Sequence, residues 1–215
     1  AFDGFLQYEY SGNSPRAAAF REFVAAEGDL LDRFALYSVL DAWHHEQNPD
    51  CWVWPDWPAE FHDPSSPAVR QFRADHDRDV LFHKYVQWLL DTQAAQAQTY
   101  ALERGMEIGL FHDLPLATDR CGFELWANRD FYVAGCRVGA PPDSFSPKGQ
   151  DWSFPPPNTD AHRHDGYRLF AQCIAKASRH GGALRIDHVM RLFRLYWIPE
   201  GFEATEGTYV RDHAE

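Results

Sequence analysis

The sequence predicts an α/β fold, a partial (β/α)8 TIM barrel with helical and loop insertions, on three observations. A helical pattern stops at Gly181-Gly182, and a short apolar run then delivers Arg185, Ile186 and Asp187. The same order occurs earlier: Arg104-Gly105 closes a helix, and the run from Met106 to Pro115 carries Asp113 near its end. A helix followed by an apolar strand is one step of a βα-repeating fold. The third observation is length. A complete barrel takes roughly 250 residues or more, and 215 residues with two parallel-type strands make only part of one.

Taken in order, residues 1–13 are aromatic and dotted with glycine (Phe2, Phe5, Tyr8, Tyr10, Gly12), which predicts loop or short extended structure. Ser14-Pro15 reads as an N-cap with proline in the first turn, opening a helix that runs to about Ala26 and stops at Gly28. A second helix spans Asp29 to about Glu46, with Leu31, Phe34, Leu40 and Trp43 on a broad apolar face. Prolines at 49, 55, 58, 64 and 67 then break regular structure, and Trp52, Trp54 and Trp57 recur among them. Such a connection is held by its aromatic side chains, as packing or as a sugar-stacking rim. A helical pattern from about Pro67 to Glu103 follows, with a break near Asp75–Asp79, and leads into the first strand run.

Residues 116–160 are rich in glycine and proline, yet also in Trp126, Phe131, Tyr132, Phe145, Trp152 and Phe154. A long irregular segment with that aromatic content reads as an ordered lid or cleft wall. The next helix runs from about Asp165 to His180 and ends at the glycine pair. Beyond Asp187, the stretch from Met190 to Trp197 predicts a short helix or turn, and the chain closes with the loop Gly201–Gly207 and a polar tail.

Composition narrows the function classes. Lysine and arginine total 20 against 32 acidic residues, a net charge of -12, so the basic footprint of a nucleic-acid binder is missing. No apolar run is long enough to span a bilayer, and Ala1-Phe2-Asp3-Gly4 has neither the basic start nor the apolar stretch of a signal peptide. The four cysteines (Cys51, Cys121, Cys136, Cys173) form no CxxC pair and read as reduced, structural thiols of a cytoplasmic protein. With 8 Trp, 9 Tyr and 16 Phe, the chain has aromatic rings to spare for stacking on flat ligands such as sugars. The absence of an initiating Met suggests that the chain begins inside a longer protein.

In a strand, alternate side chains share a face, so Arg185 and Asp187 are expected to point the same way. A carboxylate at the C-terminal end of a parallel strand is where barrel enzymes place their chemistry. Asp187 is thus a candidate nucleophile for acetal cleavage with retention, and Arg185 the group that orients and charge-balances it. A structural ion pair is the plainer reading of the same two residues. His162-Arg163-His164-Asp165 and His44-His45 look like metal-ligand material, but no further ligand at matching spacing completes a site. No GxGxxG, GxxxxGK[ST] or GxSxG sequence is present, which leaves nucleotide and serine-hydrolase chemistry without support.

The segment from Gly182 to Met190 (Gly-Ala-Leu-Arg-Ile-Asp-His-Val-Met) resembles the nucleophile segment of 4-alpha-glucanotransferases, the amylomaltases or disproportionating enzymes of glycoside hydrolase family 77. Four further stretches agree in order: Trp57-Pro58, Tyr85 to Leu89, Ile108 to Pro115, and Gly139 to Asp143 with Ser146 to Trp152. The resemblance implies a retaining double displacement in which Asp187 attacks the anomeric carbon of an α-1,4-glucan and the 4-hydroxyl of another glucan accepts the chain. It implies substrate contacts from Asp113, Asp143, Gln150, Trp152 and His188, and no metal or organic cofactor. The partners it implies are α-1,4-glucans and maltooligosaccharides. An α-amylase-type hydrolase and a non-catalytic glucan-binding or scaffold protein are the alternatives.

Two positions depart from the pattern. Ser144 stands where an aromatic often follows Pro-Pro-Asp, and Arg191 stands where glycine is common, either perturbing the subsites or facing solvent. The family's acid/base Glu and a further Asp lie on later strands, and none of Glu200, Glu203, Glu206 or Glu215 sits on a strand-like run. The expected organisation is one incomplete catalytic-barrel segment over residues 1–215. Within it, 1–105 would be a helical insertion region, and 106–215 would hold two barrel strands with the substrate loop 139–158. Alone, such a segment is expected to be inactive.

Overall fold

A computed structural model describes residues 1–115 and 118–211 of the chain, which divides into two compact units, Ala1–Ala97 and Gln98–Glu215. Glu215, weighed above as a possible acid, lies outside the described residues.

The first unit is helical. Helix α1 (Phe2–Phe5) runs directly into a π-helical turn over Leu6–Tyr10, where loop or extended structure was expected. Tertiary burial explains the difference. Phe2 and Phe5, one helical turn apart, are buried with Phe20, Tyr85 and Trp88, and the Phe5 ring lies 4.6 Å from that of Tyr85. Burying two phenylalanines at about 1.5–3 kcal/mol each outweighs the roughly 1 kcal/mol that Gly4 costs a helix.

Helix α2 (Pro15–Gln47) starts as expected, with the Ser14 hydroxyl accepting the Ala17 N–H at 3.1 Å. Its helical geometry fails at one residue, Gly28 (φ 59°, ψ -138°), a conformation open essentially to glycine alone. The two expected helices are therefore present, joined at that kink. The Trp-rich connection is packed: Trp57 is buried and stacks on His44 at 5.1 Å, while Trp52 is exposed. Helices α3 (Pro67–Asp75) and α4 (Asp77–Glu103) meet at His76, inside the expected break. Asp32 ties the elements together. It accepts two hydrogen bonds from the Arg73 fork, at 2.7 and 2.9 Å, and pairs with the buried Lys84.

In the second unit the run from Met106 yields a shorter strand than expected, β1 (Phe111–Leu114). The preceding backbone is held by the Gln98 side chain, which donates to the Ile108 carbonyl at 3.0 Å and accepts the Leu110 N–H at 2.6 Å. Regular elements form within the segment expected to be mostly irregular: α5 (Phe123–Asn128), β2 (Cys136–Ala140) and β3 (Gln150–Asp151). The helix expected over 165–180 is the shorter α7 (Arg168–Ser178), and a separate helix, α6 (Thr159–His164), precedes it across Gly166 and Tyr167 at φ 63° and 57°.

Strand β4 (Ala183–Ile186) pairs with β1 in parallel. Next, a 3-10 turn over Val189–Leu192 gives way to β5 (Arg194–Pro199), where helix or turn was expected, and the polar tail begins as β6 (Thr208–Arg211). Strands β3-β2-β5-β6 form an antiparallel sheet, a component the barrel reading did not contain. Leu195 of β5 is buried against Val138 and Phe154, and that long-range packing is what makes Arg194–Pro199 a strand. The fold is α/β.

Candidate active site

The site is built on the β1–β4 pair. Helix α7 has already ended at Ser178, so the glycines at 181 and 182 do more than stop a helix. A Cβ at Gly181 would strike the His112 ring, and one at Gly182 would strike the Ile108 carbonyl oxygen. Glycine here lets the two backbones close. The Gly182 N–H reaches the Leu110 carbonyl at 3.0 Å, and the Asp187 N–H reaches that of Leu114 at 3.0 Å, carrying the ladder one residue past β4.

The register sets Asp113 beside Arg185. From there the Arg185 guanidinium forks: Nη1 donates to Asp113 Oδ2, and Nη2 donates to Asp187 Oδ1 at 2.5 Å. The hydrogen bond to Asp113, followed by the charges of Asp113 and Asp187, raises the Arg185 pKa above its ordinary value. Arg185 and Asp187 do share a face, and Asp113 joins them from the neighbouring strand. All three side chains are open to solvent, about half exposed. Ion pairs so exposed contribute little to stability, which favours a ligand-directed reading over a structural one.

His188 follows in the left-handed conformation, φ 44°, and its ring meets the Trp152 ring edge-on at 5.2 Å. Trp152 in turn donates its indole N–H to Gln150 Oε1 at 2.9 Å and stacks on Phe154. Gln150, Trp152 and His188 therefore form one connected wall beginning next to Asp187. Asp143 is used differently. Its Oδ1 accepts the N–H groups of Phe145 (2.9 Å) and Ser146 (2.6 Å), closing the β2–β3 turn, and no contact joins it to the Arg185 centre among the described residues. At that turn Phe145 is 95 % exposed. In the sequence Ser144 stands out as a missing ring, whereas the ring beside it, Phe145, counts only toward aromatic content.

Arg191 neither faces solvent nor joins the Arg185 centre. Its guanidinium lies 4.8 Å from the Phe170 ring and lines a cavity of about 310 Å³ with His162 and Tyr167. A second cavity, of about 140 Å³, lies between Arg191, Leu114, Glu124, Tyr132 and Cys173. Burial lowers the Arg191 pKa from its ordinary value. Burial, and then the Glu124 charge, push the Cys173 thiol up to about 12, so it stays a protonated, inert thiol at neutral pH.

The histidine clusters serve packing. His44 stacks on Trp57, and His162 is buried with its ring 5.1 Å from that of Phe131. The Asp165 carboxylate bonds the Arg168 side chain and the Leu169 N–H. Among the described residues, no three His, Cys, Asp or Glu side chains are grouped to hold a metal ion.

Comparison with known proteins finds one family. The family described as 4-alpha-glucanotransferase matches residues 3–215. A 4-alpha-glucanotransferase of Mycobacterium tuberculosis is 42% identical over 214 residues, which is 97% of this chain and 28% of that protein. One from Haemophilus influenzae is 32% identical, covering 97% of this chain and 30% of its own length. The chain thus spans less than a third of these relatives. Among solved structures, amylomaltase from Corynebacterium glutamicum superposes with a TM-score of 0.71 at 31% identity, over 91% of this chain and 25% of that one. The amylomaltase from Streptococcus agalactiae in complex with acarbose gives 0.80 at 20% identity, over 94% and 41%, a likeness of fold.

Proposed function

The chain belongs to the 4-alpha-glucanotransferase family, and we propose that it is the segment of such an enzyme that carries the attacking carboxylate. The observation that carries this reading is the Arg185 fork joining Asp113 and Asp187 at the C-terminal ends of two parallel strands. In the proposed reaction a carboxylate oxygen of Asp187 attacks the anomeric carbon of an α-1,4-glucan. The bond to the leaving glucan oxygen breaks, and a glycosyl–Asp187 ester forms with inversion. The 4-hydroxyl of an acceptor glucan then attacks the same carbon, frees the carboxylate and restores the original configuration. A carboxyl group from a later strand, outside this chain, gives a proton to the leaving oxygen and takes one from the acceptor. Arg185 orients Asp187 and balances its charge. Asp113, His188, Trp152 and Gln150 hold the sugar hydroxyls and ring faces, and the chemistry uses no metal or organic cofactor.

On this reading β1 and β4 are neighbouring strands of an incomplete (β/α)8 barrel. Residues 1–105 are a helical insertion, residues 106–215 carry the barrel strands, and the loop 139–158 closes on substrate. The enzyme works in the cytoplasm on maltooligosaccharides, with neither nucleic acid nor membrane as partner. The net charge of -12 fits a chain without a nucleic-acid partner.

The test is product analysis with the full-length protein on maltotriose. A ladder of longer oligomers, abolished by Asp187→Asn, is the expected result. Mainly shorter sugars would mean a hydrolase. Glucan affinity unchanged by Asp187→Asn, with no turnover by either protein, would mean a binding scaffold. The 215-residue chain alone should leave maltotriose untouched, and brisk disproportionation by it would refute the assignment of the acid/base to a later strand.

A further inference from the structure

We infer that Arg191 is a positioning residue for Asp187 and His188: its guanidinium, held between Phe170 and the Glu124 cluster, anchors the turn that follows the attacking carboxylate. The inference rests on the glucanotransferase reading of the site and adds a residue to it.

The turn needs an anchor. His188 sits at φ 44°, a backbone region unfavourable to a non-glycine residue that persists only where its surroundings impose it. The turn itself supplies a single backbone hydrogen bond back to His188, from the Arg191 N–H to its carbonyl at 3.0 Å. Apolar packing does not hold it either, because Val189, Met190, Leu192 and Phe193 are all exposed. Arg191 is the side chain between Val189 and Phe193 that turns inward.

Its seat is on the far side of the strands from the Arg185 centre. Asp113 and Leu114 alternate along β1, so they point to opposite faces. Asp113 meets Arg185, while Leu114 lines the smaller cavity with Arg191. There the guanidinium covers the Phe170 face, a contact that strengthens as it is desolvated. The Glu124 carboxylate lines the same cavity. That carboxylate is itself fixed, by the Thr118 hydroxyl at 3.0 Å and the Cys173 thiol at 3.4 Å. Phe170 of α7 and Glu124 of α5 thus both border the side chain whose backbone closes the turn beside the nucleophile.

Open cavities of about 310 and 140 Å³ border the guanidinium. Truncating the side chain should therefore leave room for a small guanidine to enter, and that makes the inference testable by chemical rescue. In the full-length protein, Arg191→Ala should lower kcat for maltotriose about a hundred-fold, the scale of an ångström's misplacement of a reacting group. KM should change little. Millimolar ethylguanidinium should restore a large part of the lost kcat, and Arg191→Lys should fall between the two.

Arg191→Met, which keeps a long apolar side chain, guards against a variant that does not fold. It should lose kcat at an unchanged Tm. In the same variant the NMR shift of the His188 ring proton, set by the Trp152 ring current, should move. Wild-type kcat in Arg191→Met with an unmoved His188 signal would overturn the inference while leaving the glucanotransferase reading intact. Arg191→Ala that folds, is impaired and is not rescued would overturn it as well. A wild-type protein without turnover would sink the glucanotransferase reading, and this inference with it.

Discussion

At the scale of single residues, the site turns on the shape of one cation. Arg185 serves two carboxylates on two strands at once, and it can do so because its donors diverge from a rigid plane. Lysine carries the same charge as a point on a flexible stem and would have to choose between Asp113 and Asp187. Arg185→Lys should therefore reduce maltotriose disproportionation by the full-length protein about a hundred-fold, as for a misplaced reacting group. Thermal stability should barely change, since exposed ion pairs contribute little to it. Steady-state kinetics beside a thermal melt would check this, and full activity in the lysine variant would remove Arg185 from its orienting role. Period-two alternation made the Arg185–Asp187 half of this centre legible in the sequence. The Asp113 half required the register of two strands 72 residues apart, which no local pattern encodes. Asp143 shows the converse. Its residue type suited a sugar contact, while its carboxylate closes a turn with Phe145 and Ser146, the commonest local use of an aspartate two or three residues ahead of free N–H groups.

At the scale of elements, the parallel pair depends on glycine where the strands begin. Gly182→Ala would drive a Cβ into the Ile108 carbonyl, which is backbone and cannot swing aside. The cost should be about 1–3 kcal/mol, typical of overpacking. Because β1 and β4 must separate, Asp113 should also slip from Arg185. Denaturant melts should show the lost stability, and the same variant should lose activity out of proportion to it. Wild-type stability in Gly182→Ala would mean that the backbones do not meet as described. Helix starts and stops were readable at this scale: Ser14-Pro15, Gly28 and the break at His76 each follow from local chemistry. What stayed hidden depends on distant partners. The first residues are helical because Phe2 and Phe5 find Tyr85 and Trp88. Arg194–Pro199 is a strand because β2 and β6 flank it, and Cys136–Ala140 is a strand because β5 and β3 flank it. The Gln98 amide, by capping the approach to β1, shortened a strand whose composition read as longer.

At the scale of the whole molecule, the titrating groups are unevenly divided. In the unit Ala1–Ala97, burial lowers the pKa of His44 and His83 from the ordinary 6.5, and Asp32 is held at about 2, chiefly by its hydrogen bond to Arg73. In Gln98–Glu215 Tyr132, Cys173, Arg185 and Arg191 are shifted, and these titrate in alkali. A depressed pKa means that the unfolded chain binds the proton more readily, so stability present above the unfolded value is lost as pH falls through the folded one. The histidines therefore withdraw support from the first unit as pH drops below about 6.5. Asp41, whose pKa burial raises, works the other way: its protonation returns stability, and that return is complete below the ordinary 3.8. Below that pH the loss at Asp32 is unopposed. It amounts to about 1–2 kcal/mol once partial solvent screening is allowed for, and is spent by pH 2. Amide exchange, expressed as protection factors at pH 7, 5.5 and 3, should show α2 and α4 loosening in acid before β1 and β4. Asp32→Asn should abolish the step between pH 4 and 2, because no carboxylate remains there to be protonated. Earlier loss of protection in β1 and β4 than in α2 would show that acid sensitivity is governed by something other than these buried groups.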